Sequence, residues 1–410
     1  MVSIQKEIAL SRDQLSFIVG AVFFGGAISV LFAGEMADKY SRRFVLQIGA
    51  VLIIAGLVLA AMASGFWLVF IGRLLQGIGV GFITLVTPLY LVESMPSQLR
   101  GSGTSTVQFF LNGGIVLAAL ISLFLVAGDH WRLMFLIGVI PAIILFIGTF
   151  FIPHTPRWLV MRGKIEKAKS VLALTRPDAE ADHEFNQILH SFKQTTQTSG
   201  YALLKQKKML LAVLLVTLIG CLNQLTGINV YIGFSAIILK DVGLHSDNIA
   251  VLGTVIITAA NFLVTLISVL LVDKVGRKLL LKIGLIGLIL ASLYLTIVAT
   301  LLTASDSTAY LVLGGIIFFA VCFAIGPGTM IWLLLSELLP NPIRSIGMSI
   351  ALATLLFASG AYASVFLSFA HTIGYQGVFL FSLVICVFYL FIVIKFVPET
   401  KGKSLEEIGH

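Results

Sequence analysis

The chain has 410 residues, 58% hydrophobic and 11% charged, with a net charge of +8. Soluble domains carry about 25% charged residues, so a soluble fold is excluded and a chain that crosses a membrane many times is specified. The positive charge lies in loops between apolar runs, where membrane sidedness accounts for it without a nucleic-acid partner.

Met1 to Asp13 is mixed and mildly charged, unlike the basic and apolar regions of a signal peptide. Apolar spans follow at 14–36, 44–64, 66–92, 103–127, 132–152, 209–239, 249–272, 279–303, 308–336, 345–370 and 375–397, eleven in all. Between the fifth and sixth lies a polar stretch, Arg157 to Lys208, with helical patterns such as KIEKAKSVL. It reads as a cytoplasmic linker rather than a folded domain. The expected division is a first bundle over 1–152, a helical linker over 153–208, a second bundle over 209–398 and a tail over 399–410. Most of the 27 Lys and Arg residues fall in alternate loops, while the opposite side holds only Lys6, Arg12, Arg132 and Lys240. The positive-inside rule makes the first set cytoplasmic.

Those loops repeat. DKYSRR at Asp38 is echoed by DKVGRK at Asp273, ESMPSQLR at Glu93 by ELLPNPIR at Glu337, and PHTPRWL at Pro153 by PETKGKSL at Pro398, at offsets of 235, 244 and 245 residues. Sidedness is the same in each pair, which is the mark of a parallel repeat of membrane bundles. The span 209–239 has no counterpart in the first half. The expectation is therefore a six-helix bundle that lacks its first helix, through a misplaced start or a truncation.

The most informative stretch is Asn223 to Phe234, NQLTGINVYIGF, within an apolar run. Each unsatisfied polar group in lipid costs several kcal/mol, so these amides must face protein, water or a ligand. On a straight helix Asn229 points away from Asn223 and Gln224. All three converge only if the helix unwinds near Gly227, and a broken helix at mid-membrane is the usual build of a solute site. Amides that glue two helices together are the competing reading. Cys221, Cys322 and Cys386 lie inside apolar runs with no metal or redox spacing and read as core residues.

Together the quoted loops, GRLLQGIGVG at Gly72, NQLTGIN, GPGTMIW and VPETKGKSLEEI resemble the sugar porter family of the major facilitator superfamily, over essentially the whole chain. Departures from the family pattern are Lys39 and Ser41 in the first loop, His154 in place of an acid, Asn223 in place of a Gln, Gly233 and Phe234 in place of Tyr-Tyr, and Leu355 and Leu356 in place of Asn-Trp. The resemblance implies an all-α membrane protein of the major facilitator fold and a monosaccharide carrier working by alternating access. It implies a sugar site of Gln108, Asn223, Gln224, Asn229, Asn261 and Trp332. Amides both donate to and accept from sugar hydroxyls, and an indole face suits the apolar face of a pyranose. Asn112 reads equally as packing polarity beside Gln108.

Arg73 is the one basic residue deep in a span, either a proton-coupling residue or a structural one bound to backbone carbonyls. Asp38, Arg42, Glu93, Arg100, Asp273, Arg277, Glu337, Arg344 and Glu399 suit a cytoplasmic latch between the bundles, with topology signals as the plainer reading. No enzyme, cofactor or metal site is expected. The expected partners are a sugar, protons on family precedent and the lipid bilayer, for a monomer in a plasma membrane, of bacterial type given the short loops and tail. A polyol carrier, a non-transporting sugar sensor and an inactive truncated transporter stay open as alternatives.

Overall fold

The computed structural model describes residues 4, 7–96, 100–126, 128, 130–195, 204–340 and 343–399, and all regular structure among them is helical. The first half comprises α1 (Arg12–Tyr40), α2 (Arg42–Ala61), α3 (Phe66–Ser94), α4 (Arg100–Val126) and α5 (Trp131–Gly148). A capping box starts α1, with Gln14 and Ser11 satisfying each other's backbone N–H groups. Helix α3 packs between α1 and α2, and its glycines set the distance. Gly77 and Gly81 face α1, where a Cβ at Gly81 would lie 2.6 Å from the Gly26 carbonyl oxygen and one at Gly77 would overlap that of Val22. Gly72 and Gly79 face α2, where a Cβ at Gly72 would lie 2.7 Å from the Gly56 carbonyl oxygen. Lipid supplies no hydrophobic drive between helices, so close backbone approach at small residues holds them together. That is the physical content of the GRLLQGIGVG stretch.

The segment between the halves is more than a linker. Helices α6 (Pro156–Met161), α7 (Ile165–Ala173) and α8 (Asp178–Thr195) enclose their own apolar core around Trp158, Leu159, Leu172 and Phe185. The unit docks on the first half. The Trp158 indole donates to the Asp38 carbonyl at 3.1 Å, and Tyr90 Oη donates to the Pro153 carbonyl at 3.0 Å. Buried Arg176 pairs with Glu184 at 2.7 Å and donates to the Ser94 and Met95 carbonyls at 3.3 and 2.8 Å, where α3 ends. Two of the three helices are short and the third is largely polar, which is why the composition suggested a plain linker.

The second half comprises α9 (Lys207–Leu225), α10 (Ile228–Asp241), α11 (Asp247–Val275), α12 (Arg277–Leu301), α13 (Asp306–Ile325), α14 (Pro327–Glu337) and α15 (Arg344–Phe396). Among the described residues ten segments are long and apolar enough to span a membrane, with α9–α10 and α13–α14 each counted as one broken span. Sequence reading separated the last apolar stretch into two spans; here it is one helical segment of 51 residues, interrupted where Gly374 takes φ +72° and ψ +168°. A straight helix of that length would reach about 75 Å, far beyond a hydrocarbon core of about 30 Å, so the Gly374 kink divides it.

The halves meet along two seams. On one, α1 packs on α15, with Phe24 against Phe357 (5.5 Å between rings) and Gly20 against Gly360 and Ser364. On the other, α4 packs on α11 through Phe109 and Phe262, 5.3 Å apart. Large apolar side chains such as Phe110, Ile144 and Leu270 are exposed on the outer faces, as a lipid-facing surface requires.

Candidate functional site

The broken span α9–α10 builds the centre of the site. The helix stops at Thr226, and Gly227 adopts the left-handed conformation at φ +105° and ψ +2°. Thr226 Oγ1 donates to the Asn223 carbonyl at 2.7 Å, taking up one acceptor the break exposes. Across the break the three amides do converge. Asn229 Nδ2 donates to Gln224 Oε1 at 2.6 Å and to Ser359 Oγ of α15 at 3.1 Å, and Gln224 Nε2 donates to Asn223 Oδ1 at 3.2 Å.

Their exposures differ. Asn223 is 1% exposed and its Nδ2 donates to the Pro327 carbonyl at 3.0 Å, where α14 begins after its own break at Gly326. It joins the two broken spans from inside the wall. Gln224 and Asn229 are half-buried, and the described hydrogen bonds leave Asn229 Oδ1 unused. Ser359 was missed by sequence reading, since a lone serine in an apolar helix carries no signal of its own.

The remaining site residues are dispersed. Gln108 is half-buried and, with Thr106, Phe109, Thr265 and Val269, lines a cavity of about 410 Å³ between α4 and α11; the amide chain of α9–α10 is not part of its lining. Asn112 donates to the Gln108 carbonyl at 3.1 Å, a local bond one turn away. Asn261 Nδ2 donates to the Ala320 carbonyl at 3.2 Å and so ties α11 to α13, while Trp332 on α14 is 37% exposed. The two replaced positions also have places: Leu355 packs on Gly220 and Leu356 on Gly26.

Arg73 finds neither an acid nor a backbone carbonyl among its described bonds. Its Nη1 donates to Gln76 Oε1 at 2.8 Å and its guanidinium lies 5.9 Å from the Phe135 ring centre.

The cytoplasmic charges pair within each half. Arg42, 3% exposed, meets Glu93 through Nε and Nη2 at 2.9 Å each and Asp38 at 2.7 Å. The repeat places Arg277 3.5 Å from Glu337. Glu399 accepts from the backbone N–H groups of Arg277 and Lys278 at 3.1 Å each, at the start of α12. Arg344 donates twice to the Leu339 carbonyl at 3.3 Å, and desolvation lowers its pKa. The side chains of Arg100 and Asp273 lie outside the described residues.

Among the described residues, side-chain bonds between the halves lie at the end of the bundle opposite Arg42 and Arg277. Arg12 of α1 donates to both carboxylate oxygens of Asp241 at 3.3 Å, and Tyr375 Oη donates to Asp241 at 2.8 Å. Asp13 accepts from Ser368 Oγ, and Ser16 Oγ accepts from the Leu367 backbone N–H at 3.3 Å. Sequence reading noted Arg12 only as a topology marker, because its partner Asp241 lies 229 positions away.

Two repeated helical halves, two broken spans and one end bonded across the halves define a major facilitator carrier, a multi-pass membrane transporter. A family model described as "Sugar (and other) transporter" matches residues 3–410, and the chain belongs to that family. It is 31% identical to the glucose transporter GlcP of Staphylococcus epidermidis, covering 99% of this chain and 90% of that one. It is 32% identical to the galactose-proton symporter of Escherichia coli K12, covering 99% and 87%. The xylose transporter XylE from E. coli, in a partially occluded inward open conformation, superposes with a TM-score of 0.86 at 26% identity, covering 98% of this chain and 93% of that one.

Proposed function

We propose that the chain carries a monosaccharide across the plasma membrane by alternating access, and that sugar binds at Gln224 and Asn229. The observation that carries this reading is the amide chain built across the Gly227 break, which leaves polar capacity at half-buried groups. Relatives that transport glucose and galactose support the substrate class. Asn223 and Asn261 hold its wall through carbonyls of neighbouring elements, and Gln108, which lines the separate α4–α11 cavity, and Trp332 are the further candidates from α4 and α14.

In this reading the first bundle spans 1–152 and the second 209–398, joined by 153–208, with the tail from 399, and the unit that works is the monomer. The Arg12–Asp241 and Asp13–Ser368 contacts close the extracellular side, so the structure corresponds to the inward-facing arm of the cycle. Arg42–Glu93 and Arg277–Glu337 keep each half's cytoplasmic end rigid, and the same charges form the latch across the halves when the cycle reverses. Arg73 is the coupling residue, held by Gln76. The protein does no chemistry on its substrate.

The test is uptake of labelled hexoses, pentoses and polyols into transporter-deficient cells, with and without an uncoupler. Saturable uptake of one sugar supports the reading, and loss with the uncoupler supports proton coupling. Polyol uptake alone, or none from correctly inserted protein, overturns it.

A further inference from the structure

In the second half Pro398-Glu399 returns to the loop before α12, and the Glu399 carboxylate sits on that loop's backbone N–H groups. The matching dipeptide of the first half is Pro153-His154, so a ring stands where the repeat has a carboxylate. His154 stacks on Trp158 with ring centres 4.7 Å apart. The charges that bear on it are all positive, namely Arg43, Lys164 and Lys167; together with burial, the largest cause, they push its pKa below the ordinary histidine range and keep it neutral.

Geometry gathers Arg43 and Lys164 beside it, and Lys167 stands one turn along α7 from Lys164. Arg43 Nη1 donates to the Ile152 carbonyl at 3.3 Å and its guanidinium lies 5.6 Å from the Phe150 ring centre. Lys164 Nζ and the Arg162 guanidinium lie 5.7 and 5.6 Å from the Trp158 ring centre. Residues 150–175 hold one acid, Glu166, against five Lys and Arg, so the cluster is not neutralised locally. Asp38, the acid of the adjoining loop, is bound to Arg42 at 2.7 Å. Beside the cluster, just past the end of α5, Phe150 and Phe151 are 53% and 83% exposed.

We propose that Arg43, Lys164 and Lys167 around His154 bind the phosphate group of an anionic phospholipid from the cytoplasmic leaflet, which supplies to the first half the negative charge that Glu399 supplies to the second. Lys and Arg bind phosphate through charge-assisted hydrogen bonds, and the exposed phenylalanines select a phosphate that carries acyl chains over a free one.

The experiment measures the affinity of the purified carrier for phosphatidylglycerol over phosphatidylcholine, by native mass spectrometry from mixed micelles. Lys164→Gln/Lys167→Gln should lower that preference roughly 25-fold, about fivefold for each lysine. His154→Glu, which builds the carboxylate of the second half into the first, should lower it comparably while the carrier stays folded. Lys207→Gln/Lys208→Gln removes the same charge at the start of α9 and should leave the preference largely unchanged, because a bound phosphate is held by the groups that donate to it. An equal loss in that control would reduce the effect to general surface charge and overturn the site. Competition by millimolar inorganic phosphate as strong as that by the lipid would identify a free-anion site and overturn the lipid assignment. No preference for phosphatidylglycerol in the parent protein would overturn both.

Discussion

Asn229 donates to Gln224 at 2.6 Å across a helix break, although five residues separate them and a continuous helix would point them apart. The bond exists because Gly227 turns the chain at φ +105°. Replacing either amide by alanine removes a group that both donates to and accepts from sugar hydroxyls. Gln224→Ala and Asn229→Ala should each lower uptake efficiency by about 10- to 100-fold, the cost of leaving polar groups unpaired in a closed site. Uptake kinetics normalised to surface expression check this; unchanged uptake in both variants would remove the assigned site.

Arg42 and Glu93 form a buried two-point pair that joins the start of α2 to the end of α3. Breaking it with Glu93→Gln leaves the buried guanidinium with only the exposed Asp38 as a charge partner and should cost up to about 3 kcal/mol, the low end for breaking a buried pair. The double replacement Arg42→Met/Glu93→Leu removes both charges and should recover most of that loss. Thermal unfolding in detergent measures both. A double variant no more stable than Glu93→Gln would show that packing, not charge, governs this corner.

Arg12 and Asp241 are partly exposed, with side chains 47% and 24% accessible, so their pair contributes about 0.2–1 kcal/mol to closing the extracellular side. Asp241→Asn, which also weakens the bond from Tyr375, should therefore shift the resting population toward the outward-facing form by about two- to fivefold. Accessibility of a cysteine placed at Ser364, on the α1–α15 seam, reads this directly. No change in labelling rate would mean that the apolar seam alone holds the gate.

Ser41 takes φ +123° between α1 and α2, where the second half has Gly276 at φ +105°. A side chain in that region, which glycine alone adopts without strain, costs about 1–3 kcal/mol, and the bond that Ser41 accepts from the Phe44 N–H returns a few tenths. Ser41→Gly should raise the melting temperature. A lower one would show that the cap outweighs the strain.

The sequence alone determined the membrane class, the sidedness, the repeat and the need for a break at Gly227. Each depends on local composition or spacing: charge in alternate loops, echoed motifs, and amides that cannot face lipid. The structure supplied Ser359 and the Arg12–Asp241 bond, and it divided the amides into a wall (Asn223, Asn261) and an opening (Gln224, Asn229). It also turned a polar linker into a small packed unit held by Arg176. These features depend on which distant element lies against each residue, at separations such as 104, 130 and 229 positions, and no local pattern encodes that. Only the tertiary packing decided which polar groups were spent on neighbours and which were left for a solute.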